Sequence, residues 1–192
     1  MVEQVTKFPR EQGTTLKIKT SRPARRAIHV RIPSWIAQEA QVKINGKLLE
    51  ASADPGSYLS IRRTWQDGDT VNIALPMKLR QESLHGDDSV VAALYGPLVL
   101  AADLGAGPSD GPLRVVRGRD TAPKDLPAAA ALPKVAAGEG ASTAQFVQVQ
   151  SPSELRFTVA GEAATYDLVP MYQIRDQRYS IYMQTTHPKQ QI

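Results

Sequence analysis

The stretch Tyr58–Leu75, YLSIRRTWQDGDTVNIAL, decides the fold. Leu59 and Ile61 alternate with Tyr58, Ser60 and Arg62, and Asp67-Gly68 then interrupts the run. After it, Val71, Ile73 and Leu75 fall on one side and Thr70, Asn72 and Ala74 on the other. Successive strand residues point to opposite faces, so this period of two predicts half-buried strands joined by a tight turn. The same pattern extends towards the N-terminus. Leu16, Ile18 and Thr20 share a face against Thr15, Lys17 and Lys19, and Ile28, Val30 and Ile32 share one against His29 and Arg31. Val42 and Ile44 lead into Asn45-Gly46, a strong hairpin signal. Towards the C-terminus, Pro76 ends a strand or marks an edge, because proline cannot donate to a ladder. Ser89–Tyr95 and Leu98–Ala102 are almost continuously apolar, as central strands are. No window carries a helical period. The expectation is an all-β fold: an antiparallel β-sandwich or jelly roll over residues 1–104.

Composition changes at Asp103. Residues 105–144 are rich in Ala, Gly and Pro and read as a long, loosely packed connection, with Leu113, Val115 and Val116 as one short strand inside it. Order returns over residues 145–192. Phe146–Val149, Leu155–Val159, Tyr166–Met171 and Tyr179–Met183 alternate like strands, with Tyr179, Ile181 and Met183 on one face. These C-terminal strands either complete the sandwich or build a small second sheet, and an isolated strand pair is marginal in water. The prediction is that they dock on residues 1–102.

The chain has 192 residues, 42% of them apolar and 22% charged, which argues against wholesale disorder and against a coiled coil. No run of eighteen apolar residues occurs, and Met1–Gln12 carries no apolar stretch of the signal-peptide kind. Cysteine is absent, so disulfides, thiolate zinc sites and cysteine nucleophiles are excluded while the compartment is left open. The net charge of +4 and pI near 9.4 raise the question of nucleic acid. The densest basic cluster, Arg22, Arg25 and Arg26, reads as a turn between strands, and other cations are interleaved with acids. Neither a nucleic-acid nor a membrane partner is expected.

Candidate chemistry is sparse. Gly107–Gly111, GPSDG, matches the nucleophile elbow in letters, but that motif needs a strand before it and a helix after it, and Pro112 follows here. His29, His85 and His187 have no metal-ligand spacing. Asp87 and Asp88 are adjacent and diverge on a strand, Asp67 and Asp69 flank Gly68 as turn formers, and Asp167 and Asp176 stand alone. No catalytic residue, metal or cofactor is expected. Aromatics remain: Trp35, Trp65 and Tyr172 are the candidates for stacking on a sugar ring, with plugging of the sandwich as the competing role. Buried Trp35 and Trp65 would favour the structural role.

Several segments together resemble a known family. Thr6–Pro9 (TKFP), Arg31–Trp35 (RIPSW), Val42–Gly46 (VKING), Gly56–Trp65 (GSYLSIRRTW), Gly68–Met77 (GDTVNIALPM) and Leu94–Ala101 (LYGPLVLA) follow the order found after the catalytic barrel of β-L-arabinofuranosidase-like glycoside hydrolases, family 127. Leu168–Tyr182 (LVPMYQIRDQRYSIY) is similar to the C-terminal continuation in a subgroup. The resemblance implies a parent enzyme with an N-terminal (α/α)₆ barrel that holds a cysteine nucleophile, a thiolate-rich zinc site and a glutamate acid/base. A chain without cysteine inherits none of these. It implies a non-catalytic accessory sandwich whose partner is that barrel, with carbohydrate binding to plant or bacterial glycans as the alternative. Met1 stands just before the first family-like segment, as a cut at a domain junction would leave it. For the parent, a periplasmic or extracellular location is favoured.

Overall fold

A computed structural model describes residues 1–106, 132–136, 147–175 and 177–186. The GPSDG match, Leu113, Val115, Val116, Phe146, Asp176 and His187 lie outside the described residues. The fold is all-β and sandwich-like, with no α-helix among the described residues. It divides into two compact units, Met1–Lys78 with Tyr95–Pro97, and Leu79–Leu94 with Leu98–Ile192.

The first unit contains β1 (Val2–Val5), β2 (Gly13–Ile18), β3 (Ala24–Arg31), β4 (Gln41–Ile44), β5 (Lys47–Leu48), β6 (Tyr58–Trp65) and β7 (Thr70–Ala74). Five of these form a sheet in the order β1-β2-β7-β4-β5, every neighbouring pair antiparallel. The other two form a ribbon, β3 on β6, paired from Ala24 opposite Trp65 to Arg31 opposite Tyr58. Ile18, Val42, Val71 and Ile73 from the sheet and Val30, Leu59, Ile61 and Trp65 from the ribbon are buried in one core. Each such side chain contributes about 1.5–3 kcal/mol by leaving water. Arg25 and Arg26 lie inside β3 rather than in a turn. The strand extends backwards through them, although Arg25, Arg26 and Ala27 are all exposed, because β6 continues to Trp65 and pairs with every residue to Ala24.

Turn chemistry sets the registers. Asn45 and Gly46 have φ of 50° and 79°, which gives the two-residue hairpin between β4 and β5 the backbone twist that its strands require. At Gly96, φ is 55° and an added Cβ would stand 2.6 Å from Met77 Cγ, so any larger residue would be strained there and would push the Met77 side chain aside. Beside it, the Gln12 amide donates to the Tyr95 hydroxyl at 2.9 Å, and its Oε1 accepts the Met77 N–H at 2.7 Å. Burial raises the Tyr95 phenol above its ordinary pKa, against the lowering influence of Gln12.

Asp69 is the buried charge of this unit. Its Oδ1 accepts from Asn45 Nδ2 at 2.7 Å, its Oδ2 accepts the Gln66 N–H at 2.8 Å, and Arg63 stands 3.7 Å from Oδ2. Asn45 Oδ1 in turn accepts the Thr70 N–H at 2.8 Å. Hydrogen bonds from the Gln66 backbone and the Asn45 amide, and the Arg63 charge, hold the carboxyl below its usual range against the opposing effect of burial. Asp67 has a separate role and accepts the Thr20 N–H at 2.9 Å.

The second unit contains β8 (Leu79–Leu84), β9 (Asp87–Tyr95), β10 (Leu98–Ala106), β11 (Lys134–Ala136), β12 (Val147–Ser151), β13 (Arg156–Ala160), β14 (Thr165–Pro170), β15 (Gln177–Ser180) and β16 (Tyr182–Thr186). They make one sheet in the order β11-β16-β9-β10-β14-β13-β12, with β8 on β9 and β15 on β10. Val91, Leu100, Phe157, Leu168 and Met183 are fully buried. The first unit is thus Met1–Lys78 with Tyr95–Pro97, and most of residues 79–104 group with the second unit. The reason is pairing: β9 takes β16 as a neighbour, and β10 takes β14 and β15, so these apolar strands belong with the C-terminal segment.

Two further features depart from the local pattern. Within the connection, Lys134–Ala136 forms β11, parallel to β16, with Val135 fully buried. Tyr179–Met183 is not one strand. The Ser180 hydroxyl donates to the Tyr182 carbonyl at 2.7 Å and accepts the Tyr182 N–H at 3.3 Å. This local side-chain bonding breaks the ladder at Ile181, so β15 pairs with β10 while β16 pairs with β9.

Two measurements follow from these contacts. Truncation after Gly161 removes β14, β15 and β16 and with them the buried Leu168 and Met183, worth about 1.5–3 kcal/mol each. The truncated chain is expected to be insoluble or to melt well below the full chain, and equal thermal midpoints would show that these strands carry no stability. Asp69→Asn tests the buried carboxylate. A carboxyl with a depressed folded pKa stabilises above its unfolded value, and that stability is lost as pH falls through the folded value. The variant should be less stable than the parent by about 1.5–3 kcal/mol at neutral pH, from charge-assisted bonds lost. In urea titrations the gap should narrow as pH drops below about 4, the unfolded carboxyl value. A gap independent of pH would assign the loss to shape alone.

Candidate functional site

The three aromatic candidates occupy different settings. Trp65 closes the first unit's core at 3% exposure, its Nε1–H donating to the Arg26 carbonyl at 3.1 Å. The Arg63 guanidinium lies 5.1 Å from its ring centroid. Trp35 is half-buried against the same core, with its ring 5.9 Å from that of Phe8. Tyr172 belongs to the second unit, in the short 3₁₀ turn Met171–Gln173, and is 61% exposed. The structure therefore brings Trp35 and Trp65 to one core and leaves Tyr172 as the candidate with an open ring. His29 and His85 are exposed, each in a different unit. No group of three metal-capable side chains occurs among the described residues.

A site that the sequence did not suggest lies on the outer face of the five-stranded sheet. Thr6, Thr14, Thr15, Gln41 and Asn72 border a cleft of about 370 Å³ there, with Glu11 at its rim. The register sets Thr15 opposite Asn72, and Lys43 opposite Asn72 on the other side. Asn72 Nδ2 donates to Thr15 Oγ1 at 2.9 Å, Gln4 Nε2 to Thr14 Oγ1 at 3.1 Å, and Thr6 Oγ1 to the Gly13 carbonyl at 3.0 Å. Hydroxyls and carboxamides both donate and accept, so such a surface can exchange its internal bonds for those of a polyol. Glu11 is the one carboxylate lining the cleft, and it is engaged by Lys7 at 3.1 Å, so the cleft does not bring together the carboxylate pair that most glycosidases use. Thr15, Gln41 and Asn72 are legible in the sequence as the polar half of alternating strands, whereas Thr14 alternates onto the other face and Thr6 and Glu11 lie outside the strands. Their juxtaposition depends on the strand order β2-β7-β4, which no local pattern reveals.

Comparison with known proteins bears on this geometry directly. Residues 1–77 match the family model of the β-L-arabinofuranosidase, GH127 middle domain. Residues 80–185 match a family described as a domain of unknown function. No curated protein matches significantly. Among solved structures, the chain is similar to a glycoside hydrolase at 17% identity and a TM-score of 0.60, covering 97% of this chain and 32% of that one. It is also similar to a GH127 β-L-arabinofuranosidase from Geobacillus stearothermophilus T6, at 18% identity and a TM-score of 0.61, with coverages of 96% and 30%. A GH127 β-arabinofuranosidase gives 20% identity and a TM-score of 0.62, with coverages of 96% and 31%. At these identities the structural likeness establishes the fold, and the chain spans about a third of the length of the structures it matches. The family-model boundary between residues 77 and 80 falls where the two compact units divide, at Lys78. The chain therefore belongs, through residues 80–185, to a domain family of unknown function, and its residues 1–77 match the GH127 middle domain, a glycoside hydrolase-associated domain.

Proposed function

We propose that this chain is the non-catalytic β-sandwich region of a GH127 glycoside hydrolase and that it packs against and stabilises a catalytic (α/α)₆ barrel. The observation that carries the reading is coverage: almost all of this chain superposes on about a third of each matched hydrolase. The aromatic placement supports it, since Trp65 is engaged in the core and Trp35 half-buried against it rather than presented to a ligand. The test has two arms. Purified chain should give no turnover of an aryl arabinofuranoside above buffer. Mixed with a separately produced GH127 barrel, it should co-elute and raise the barrel's melting midpoint by several degrees. Turnover by the chain alone, abolished by one Asp or Glu substitution, would overturn the reading.

A second reading, carbohydrate binding, is favoured by the cleft between Thr15, Gln41 and Asn72 and by the open ring of Tyr172. Under it, Tyr172→Ala and Asn72→Ala should each weaken retardation of the chain in gels containing arabinan, by about 1–3 kcal/mol per lost contact. Unchanged mobility of both variants would leave the accessory role alone.

A further inference from the structure

The ribbon formed by β3 and β6 presents one face to the core and the other outward. The outward positions are Arg25, Ala27, His29 and Arg31 on β3, and Tyr58, Ser60, Arg62 and Thr64 on β6, all exposed. Directly opposed pairs are Arg25 with Thr64, Ala27 with Arg62, His29 with Ser60, and Arg31 with Tyr58. Three guanidinium groups and an imidazole therefore share this face, and no carboxylate stands on it. Arg25, Arg31 and Arg62 take part in none of the salt bridges among the described residues. The acid nearest to the ribbon's arginines, Asp69, binds Arg63 on the inward side. Ser60 and Arg62 also border a groove of about 720 Å³ against Leu49 and Ala51.

The shape narrows the class of partner. Outward residues repeat at about 6.8 Å along a strand, so Arg25 to Arg31 spans about 20 Å, while the ribbon is only two strands, about 5 Å apart, in width. That is a strip. A stable protein interface needs about 800 Å² per partner, more than such a strip supplies. Single-stranded nucleic acid is held by rows of aromatic platforms, and here the one aromatic ring, Tyr58, has the Arg31 guanidinium 5.1 Å from its centroid. A single linear chain bearing carboxylates at intervals fits the charge, the width and the guanidinium preference for planar oxyanions.

We propose that the outward face of the β3–β6 ribbon binds an anionic glycan, a polymer of uronic acids, through Arg25, Arg31 and Arg62. For the choice of a sugar polymer the proposal rests on the reading of this chain as part of a glycoside hydrolase, and it does not depend on docking to a barrel.

The probe is an oligogalacturonate of defined length, titrated calorimetrically into the full chain at low and moderate salt. Binding is expected, and it should weaken steeply as salt rises. The triple variant Arg25→Gln, Arg31→Gln, Arg62→Gln should bind at least about tenfold more weakly with its melting midpoint unchanged, since all three side chains are exposed. Should that variant melt early, Arg62→Gln alone is expected to lose about threefold. A control with the same charge removed elsewhere, Lys17→Gln, Lys47→Gln, Lys78→Gln, should stay within about twofold of the parent. Equal losses in the control would reduce the effect to net charge and overturn the site. Absence of binding at low salt would overturn it, as would arabinan binding as tightly as the oligogalacturonate. Single-stranded DNA of matched charge binding more tightly than the glycan would assign the face to nucleic acid instead.

Discussion

The first unit depends on a carboxylate held where two layers and two turns converge. Asp69 ends the turn that carries the chain from β6 in the ribbon to β7 in the five-stranded sheet, and it accepts from Asn45 in the turn between β4 and β5. Arg63 approaches it from the ribbon, and Gln66 from the turn backbone. A buried charge without partners would be prohibitive, but this one is surrounded by donors and so ties the sheet to the ribbon. Among the described residues it is the only buried polar or charged side chain, which means that the remainder of the interior is apolar packing. Apolar burial is not directional; the donors around Asp69 supply the direction.

The second unit is organised by strand pairing instead. β9 and β10 are apolar along most of their length, so they are stable only when neighbours cover their edges and faces. Those neighbours arrive from the far end of the chain, with β14 and β15 on β10 and β16 on β9. Ser180 allows one short segment to serve both strands, because its hydroxyl satisfies the Tyr182 backbone at the corner where the ladder stops. Such long-range closure carries a high contact order, which makes folding of the unit slower than that of a locally paired sheet.

The surfaces left over have distinct chemistry. The outer face of the five-stranded sheet offers hydroxyls and carboxamides, while the outer face of the ribbon offers arginine without acids. Neither brings together the pair of carboxyl groups that most glycosidases use.

Much of this was legible in residues 58–75. Alternation there, and at Ile28–Ile32, Val42–Ile44 and Thr165–Pro170, sets which side chains face inward, because a strand offers each residue only two directions. Asn45-Gly46 likewise announces its own hairpin, since few residues accept positive φ in succession. Local pattern does not say which strand lies beside which. It placed Ser89–Ala102 with the N-terminal sandwich, passed over β1, β8 and β11, and read Tyr179–Met183 as one strand. Edge pairing is decided by hydrogen bonds between segments distant in sequence. The same holds for the polar cleft and the arginine strip: each outward residue is predictable from period two, but their assembly into a surface exists only once β2 meets β7 and β3 meets β6. The sequence by itself determined the period of the strands and the face each residue takes; the tertiary structure alone decided the neighbours, because partner choice is a comparison of non-local contacts that no single segment encodes.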